Sequence, residues 1–274
     1  MQDLLLNMDP RIHVVALVAY AIATGTGIAA ALGGKRGWSS VGLAAAYAGL
    51  LLHSAGLLAR WIGSGHGPYL TRYELLSAYA WVSMVVWLVW AARDERVRPL
   101  GAIVMPTVLI LVGVGLFTGP EVKMLPPTFT GVWLVLHVSF YFVAFATGLV
   151  SFGASSLVAG HSLGRALPWA PGSEDLDALA YRSAGLAFSF WGMGLLTGAI
   201  WAYYSWGRFW GWDPVETWSL ITWLSLGVYL HLRRFYGWRG GRAAMLMIVC
   251  YALALLSLFG TSWFGPTVHS EYFS

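Results

Sequence analysis

Stretches of about 20 apolar residues recur along this 274-residue chain, and a run of that length reads as a helix crossing the bilayer hydrocarbon. The predicted spans are 12–33, 39–60, 73–92, 99–117, 133–159, 180–203, 216–236 and 243–264. With 58% hydrophobic and only 10% charged residues, the chain falls outside the soluble class. The expected fold is an all-α polytopic helical bundle, about eight transmembrane helices in a single membrane domain over 1–274, with both termini external. Neither an internal repeat nor a low-complexity tract is apparent. The start, MQDLLLNMDPR, lacks a basic n-region, so no cleavable signal peptide is expected.

The side on which the charges fall says more than the net charge of +4. One set of loops holds Lys35, Arg36, Arg93, Arg96, Arg98, Arg165, Arg182, Arg233, Arg234, Arg239 and Arg242, eleven of the 16 basic residues. The other set, with the N-terminal tail, holds the remaining five: Arg11, Arg60, Arg72, Lys123 and Arg208. The richer side is expected to be cytoplasmic. The acidic connection at 160–179 is expected to be a solvated cytoplasmic loop whose carboxylates favour the next helix start. The one cysteine, Cys250, lies in an apolar run, and no CxxC pair exists. Thiol–disulfide chemistry and covalent haem attachment to this chain are therefore not expected.

Residues 206–218 read WGRFWGWDPVETW, inside an external tryptophan-rich loop placed at 204–218. Single tryptophans anchor helices at headgroup level; Trp206, Trp210, Trp212 and Trp218 together exceed that need. A large flat apolar ligand suits such a platform. Gly207 and Gly211 let the backbone turn closely and approach a ligand face. Asp213, Pro214 and Glu216 have a local explanation: Asp as N-cap, Pro at the first helical position, and Glu completing a capping box. Capping orients the loop, and the indoles form the surface.

Depth sorts the seven histidines. His137 lies one turn into the fifth span near the outer surface, and His269 follows the eighth span in the external tail. Two outward histidines flanking an aromatic platform can supply axial nitrogens to a haem iron from opposite faces. The plainer reading makes His137 a hydrogen-bonded helix-end residue and His269 a polar tail residue. His231 lies about 22 Å into the seventh span at 1.5 Å per residue, where an ionisable side chain suggests a ligand. Its plainer alternative is snorkelling to the basic surface. His53 is expected in the outer half of the second span, too far in depth from His231 for an easy pair. His66 reads as a loop residue, and His13 and His161 carry no expected role.

At these residues the sequence resembles the CcsA/ResC family of cytochrome c assembly proteins, whose hallmark is a tryptophan-rich WWD domain. WGRFWGWDPVETWSLITWL followed by YLH fits that hallmark. HSAGLLARWIGSGHGPYLTRYELL, from His53 to Leu76, is similar to a second family stretch, and HVSFYFVAFATG, from His137, to the segment around the first external histidine. The resemblance implies a cell-membrane protein with its WWD loop facing the periplasm or exterior. It would pair with a ResB-type membrane subunit, receive haem b from the cytoplasmic side and move it across. There it would present the haem to the CxxCH motif of an apocytochrome c client. By the same resemblance, His137 and His269 are the external axial ligands, and His231 belongs to an inner haem site whose mate can come from the partner. His53 is a further haem-related candidate. Membrane lipid surrounds such a bundle, and no nucleic-acid partner is expected.

No nucleophile or general-base constellation is visible. Any role as a subunit of a cytochrome c synthase (haem lyase) complex would rest mainly on positioning haem. Two rivals stand beside this reading. One is CcmC-like delivery of haem to a chaperone, a class usually of six spans. The other is a b-type electron-transfer cytochrome, which pairs histidines from facing helices. A transporter of another small molecule would need a polar midplane site or broken helices, which Pro106 permits without arguing for.

Overall fold

The computed structural model describes residues 1–33, 36–165 and 167–260. It places eight helices in the order α1 Gln2–Gly33, α2 Arg36–Ser64, α3 Arg72–Arg93, α4 Gly101–Thr118, α5 Val132–Ser162, α6 Ser173–Trp206, α7 Pro214–Phe235 and α8 Gly240–Leu255. Short 3₁₀ turns cover Glu95–Leu100 and Pro127–Phe129, and α8 runs into a π turn at Leu256–Gly260. The described residues contain no strand. Among the described residues seven segments are long and apolar enough to span a bilayer, and the protein is an all-α, multi-pass membrane bundle. The one expected span missing from those seven is α7, whose 22 residues are diluted by Trp, Ser, Thr and a histidine.

The helices divide into two compact units, Met1–Leu125 with α1–α4 and Pro126–Ser274 with α5–α8. In the first unit, α2 carries Gly42, Gly49, Gly56 and Gly63, one every seven residues. A Cβ on each would strike α1: Thr26 Oγ1 at 2.9 Å, Tyr20 at 2.6 Å, His13 at 2.6 Å and Leu6 at 2.8 Å, in that order. The pairing runs antiparallel. Within lipid, helix association rests on close packing, and small residues permit it. A strict seven-residue period keeps the seam on one face of a gently supercoiled pair.

Helix ends follow local chemistry. α3 starts at a capping box, where Thr71 accepts from the Glu74 amide and Glu74 accepts from the Thr71 amide. α6 begins at Ser173 with Glu174 and Asp175 in its first turn, as favoured by the helix dipole. The loop expected at 160–179 is therefore shorter. One of its carboxylates is largely withdrawn from solvent: Asp177 binds Arg233 NH1 at 2.6 Å and NH2 at 2.7 Å, with both side chains part-buried. Asp177 lies four residues into α6, where it meets the α7 terminus rather than water.

In the second unit α5 and α6 are antiparallel, joined at Ser151 Oγ to Ala180 O and, toward the other end, at His137 to Gly194. Gly194 and Gly198 leave room for the Tyr141 and His137 rings. Further packing comes from Phe188 stacked on Trp223 at 5.0 Å and Phe152 on Tyr251 at 4.9 Å. A buried knot fixes α5, α6 and α7 together: Tyr141 OH bonds Ser219 Oγ, and Trp191 Nε1 donates to the same oxygen at 2.9 Å. The knot and the Asp177–Arg233 pair hold opposite ends of α7.

Candidate functional site

The tryptophan-rich segment falls at the α6–α7 junction. Trp206 closes α6, Gly207–Asp213 lies outside the helices, and Pro214 opens α7. Gly207 takes φ 74°, the left-handed C-cap, and its amide donates to Tyr203 O at 2.9 Å. Such a cap favours glycine, as the sequence suggests. The expected capping box is present. Asp213 Oδ1 accepts from the Val215 amide at 2.9 Å, and Glu216 Oε2 accepts from the Asp213 amide at 3.2 Å. Glu216 reaches further, accepting from the Gly211 amide at 2.7 Å. One carboxylate therefore fixes two loop amides.

That bracing forces an unusual backbone. Trp212 has φ 58° and is the only non-glycine with positive φ among the described residues. A non-glycine residue in this region costs on the order of 1–3 kcal/mol and persists only where its surroundings impose it. The residue is 70% exposed, so burial does not recover that cost. Trp210 meets Trp212 edge to face at 5.8 Å. Its Nε1 is buried and has no hydrogen-bond partner among the described residues. Phe209 stacks on Tyr203 at 4.4 Å, and both stay exposed. The junction thus offers open aromatic surface with an unsatisfied donor beside it.

His137 belongs to the same end of this unit. Its Nδ1 donates to Gly194 O at 2.8 Å, an assignment forced because a carbonyl only accepts. In the neutral ring that puts the lone pair on Nε2, the arrangement commonly found in metal-binding imidazoles. Tyr141 meets the ring edge to face at 4.9 Å, and Trp201 lies nearly parallel to it at 5.9 Å. Trp201 in turn contacts Trp206 at 4.8 Å and donates to Thr128 O at 2.8 Å. A continuous aromatic path therefore runs from His137 through Trp201 to Trp206. Trp218, one turn into α7, is half-buried.

Within this unit, His231 does not join that group. His231 is exposed near the far end of α7, with Phe235 and Tyr236 beside it at 4.8 and 5.8 Å. His269 lies outside the described residues. His53 sits in the first unit with both ring nitrogens engaged, by Tyr20 OH at 3.2 Å and Ser77 Oγ at 2.8 Å. Binding iron would break one of those bonds.

The first unit also holds a polar cluster that the sequence reading missed. His13, given no role, is buried beside His53 with ring centroids 5.1 Å apart. Arg60, expected in an external loop, is buried within α2. Its Nε donates to Glu74 at 2.8 Å, and its NH1 donates to Asp9 at 3.4 Å and to Pro120 O at 2.8 Å. Tyr73 OH donates to Asp9. A signal was available: Asp9 and His13 lie four apart on α1, and His53 and Arg60 seven apart on α2. Each pair therefore shares a helix face.

Comparison with known proteins places this arrangement. The family model described as cytochrome C assembly protein matches residues 69–269. The chain belongs to that family. It is 33% identical over 226 residues to the cytochrome c biogenesis protein CcsA of Chlamydomonas reinhardtii, covering 79% of this chain but 64% of the algal protein. It is 31% identical over 251 residues to CcsA of Prochlorococcus marinus strain MIT 9301, covering 80% and 81% of the two chains. With CcsA of Chlorella vulgaris it shares 29% identity over 280 residues, covering 88% and 89%. Among solved structures, the cytochrome c haem lyase CcmF superposes with a TM-score of 0.72 at 20% identity. That match covers 94% of this chain and 47% of CcmF, and it speaks for the fold. Asp9, His13, Tyr20, His53 and Arg60 precede the family-model match, while the His137 site and the tryptophan junction lie within it.

Proposed function

We propose that this protein takes part in cytochrome c biogenesis as the haem-presenting membrane subunit. Haem b is its cargo: received from the cytoplasmic side, moved across the cell membrane and held at the α6–α7 junction. There an apocytochrome c client attaches it through the thiols of its CxxCH motif. A ResB-type membrane subunit completes the assembly. The single observation that carries the reading is His137, its Nδ1 donating to Gly194 O and its ring in aromatic contact with the tryptophan junction.

In this reading His137 supplies one axial nitrogen and His269 the other. Trp206, Trp210 and Trp212 lie against the porphyrin, and Gly207, Gly211, Asp213, Pro214, Glu216 and Trp218 hold the loop in shape. His231 serves an inner site together with a nitrogen from the partner subunit. The chain contributes by positioning: it binds the porphyrin, restricts its orientation and leaves one edge to the client. The unsatisfied Trp210 Nε1 suits an acceptor on such a ligand. The tryptophan junction faces the exterior, at the end of the second unit opposite Arg233, Arg234, Arg239 and Arg242, in keeping with the basic side being cytoplasmic.

The test is the absorption spectrum of the protein purified with its partner subunit. His137→Gly should lose the bis-imidazole signature and recover it on adding free imidazole. His137→Ala combined with His269→Ala should abolish client maturation. Unchanged external haem loading in that double variant would refute the assignment.

A further inference from the structure

The first unit contains a buried hydrogen-bond chain that haem presentation does not use. Its directions follow from donor chemistry alone. Asp9 O only accepts, so His13 Nδ1 donates to it at 2.9 Å. With that ring neutral, His13 Nε2 accepts, and Ser77 Oγ must donate at 2.9 Å. Having used its one hydrogen, Ser77 Oγ accepts from His53 Nε2 at 2.8 Å. His53 Nδ1 then accepts from Tyr20 OH at 3.2 Å. With both rings neutral every link has a single sense; a second proton on His13 would turn the Ser77 hydroxyl toward His53, now in its Nδ1–H tautomer, and reverse every link except the one to Asp9 O, which only accepts.

The surrounding charges leave room for that proton. Asp9 and Glu74 are two carboxylates facing one guanidinium, Arg60, and all three are buried. With neutral imidazoles the cluster sums to one negative charge, which is costly inside hydrocarbon. One added proton brings it to zero. The titratable groups facing the two rings are Asp9 and Tyr20 from α1, Arg60 from α2, and Tyr73 and Glu74 from α3. α4 bears no titratable side chain. After it, Pro120 and Glu121 offer backbone carbonyls to Arg60. Gly56 gives His13 its space, since a Cβ there would lie 2.6 Å from the ring.

We propose that His13, Ser77 and His53 form a proton-holding site in which one exchangeable proton passes between two imidazoles through the serine hydroxyl. In the transfer, the His13 Nε2–H bond breaks as a new Ser77 O–H bond forms. The former Ser77 hydroxyl proton moves to His53 Nε2, whose Nδ1–H meanwhile donates to Tyr20 O. Charge moves from one ring to the other with no net gain or loss of atoms. Asp9 to Tyr20 covers about 16 Å of α1 at 1.5 Å per residue, roughly half a hydrocarbon core. The Asp9 end adjoins, through Arg60, the exposed Glu121, where water supplies the proton; the other end stops at buried Tyr20.

The experiment uses the full chain, ¹⁵N-labelled at histidine, in lipid nanodiscs. Ring-nitrogen spectra are followed across the acid-to-neutral range and assigned with His13→Asn and His53→Asn. The expected result is one joint step in which the His13 and His53 signals move together and account for one proton between them. Ser77→Ala should split that step into separate titrations, and Ser77→Thr, which keeps the hydroxyl, should restore it. Independent titration in the unaltered protein, two rings that stay neutral throughout, or a joint step surviving Ser77→Ala would each overturn the proposal. If Ser77→Ala does not fold, a joint step in both the unaltered protein and Ser77→Thr sustains it, and its absence from either refutes it. Haem loading plays no part in this readout, so its outcome is independent of the haem-presenting role.

Discussion

Asp177 holds Arg233 with both carboxylate oxygens, and the same Asp177 Oδ1 also accepts the Gly240 amide at 3.1 Å. The start of α6, the end of α7 and the start of α8 thus meet on one side chain. Arg233 further lies over the Tyr181 ring at 5.1 Å. Removing one partner of a fully buried pair leaves the other charge uncompensated, which typically costs about 3–5 kcal/mol, and this pair, part-buried, belongs at the lower end. Asp177→Asn should therefore destabilise the second unit by about 3 kcal/mol. Denaturant unfolding in detergent, followed by tryptophan fluorescence, measures it. Arg233→Lys should recover only part of the stability, because an ammonium cannot form the two-pronged contact.

The glycine stripe of α2 makes a contrast available within one helix pair. At Gly49 a Cβ would lie 2.6 Å from the Tyr20 ring, whereas Gly25 on α1 has nothing within 4 Å. Gly49→Ala should cost about 1–3 kcal/mol through overpacking. Gly25→Ala should be neutral, or stabilising by up to about 1 kcal/mol, because alanine favours the helix. Thermal unfolding of the two variants side by side decides. Equal effects would show that the seam is not closely packed.

Trp212 separates local stability from presentation. Trp212→Gly relieves a positive φ worth on the order of 1–3 kcal/mol and removes the ring of a residue that is 70% exposed. The variant should unfold no more easily than the unaltered protein, yet lose haem at the junction and mature less client cytochrome. Haem retention on a desalting column, read beside the melting curve, checks both halves. Trp212→Asn, with a side chain tolerant of this backbone, should behave like the glycine variant.

Apolar run length made the helical bundle legible, and the Asp213-Pro214-x-Glu216 spacing located the start of α7 to the residue. Run length alone extended too little at the ends: α1 begins at Gln2 and α6 at Ser173, where the carboxylates of Asp3, Glu174 and Asp175 suit the first turn of a helix. The His137 environment was only half legible. Its place about one turn into α5 was readable, but the Gly194 carbonyl that fixes its tautomer depends on how α5 and α6 pair. The Asp9–His13–His53–Arg60 cluster was hidden for a different reason. Taken alone, Asp9, His13 and Arg60 suggest a helix end or a loop and His53 an isolated residue within a span, and only the antiparallel α1–α2 pairing, set by glycines every seven residues, brings them together.

That pairing logic carries the final prediction, at Gly198. A Cβ there would lie 2.4 Å from His137 Nδ1 and 2.5 Å from its Cε1, closer than any real contact. Gly198→Ala must therefore turn or push the imidazole away from Gly194 O, even if α6 itself remains intact. Breaking that bond releases the tautomer and the ring orientation together, and outer-shell changes of this kind typically weaken metal binding 10–100-fold. External haem affinity should fall by roughly that factor, and the axial-ligand bands should broaden as the ring samples several orientations. Gly185, with nothing within 4 Å, provides the control on the same helix: Gly185→Ala should leave haem binding unchanged. If Gly198→Ala and Gly185→Ala bind haem alike, the slot on α6 does not position the ligand.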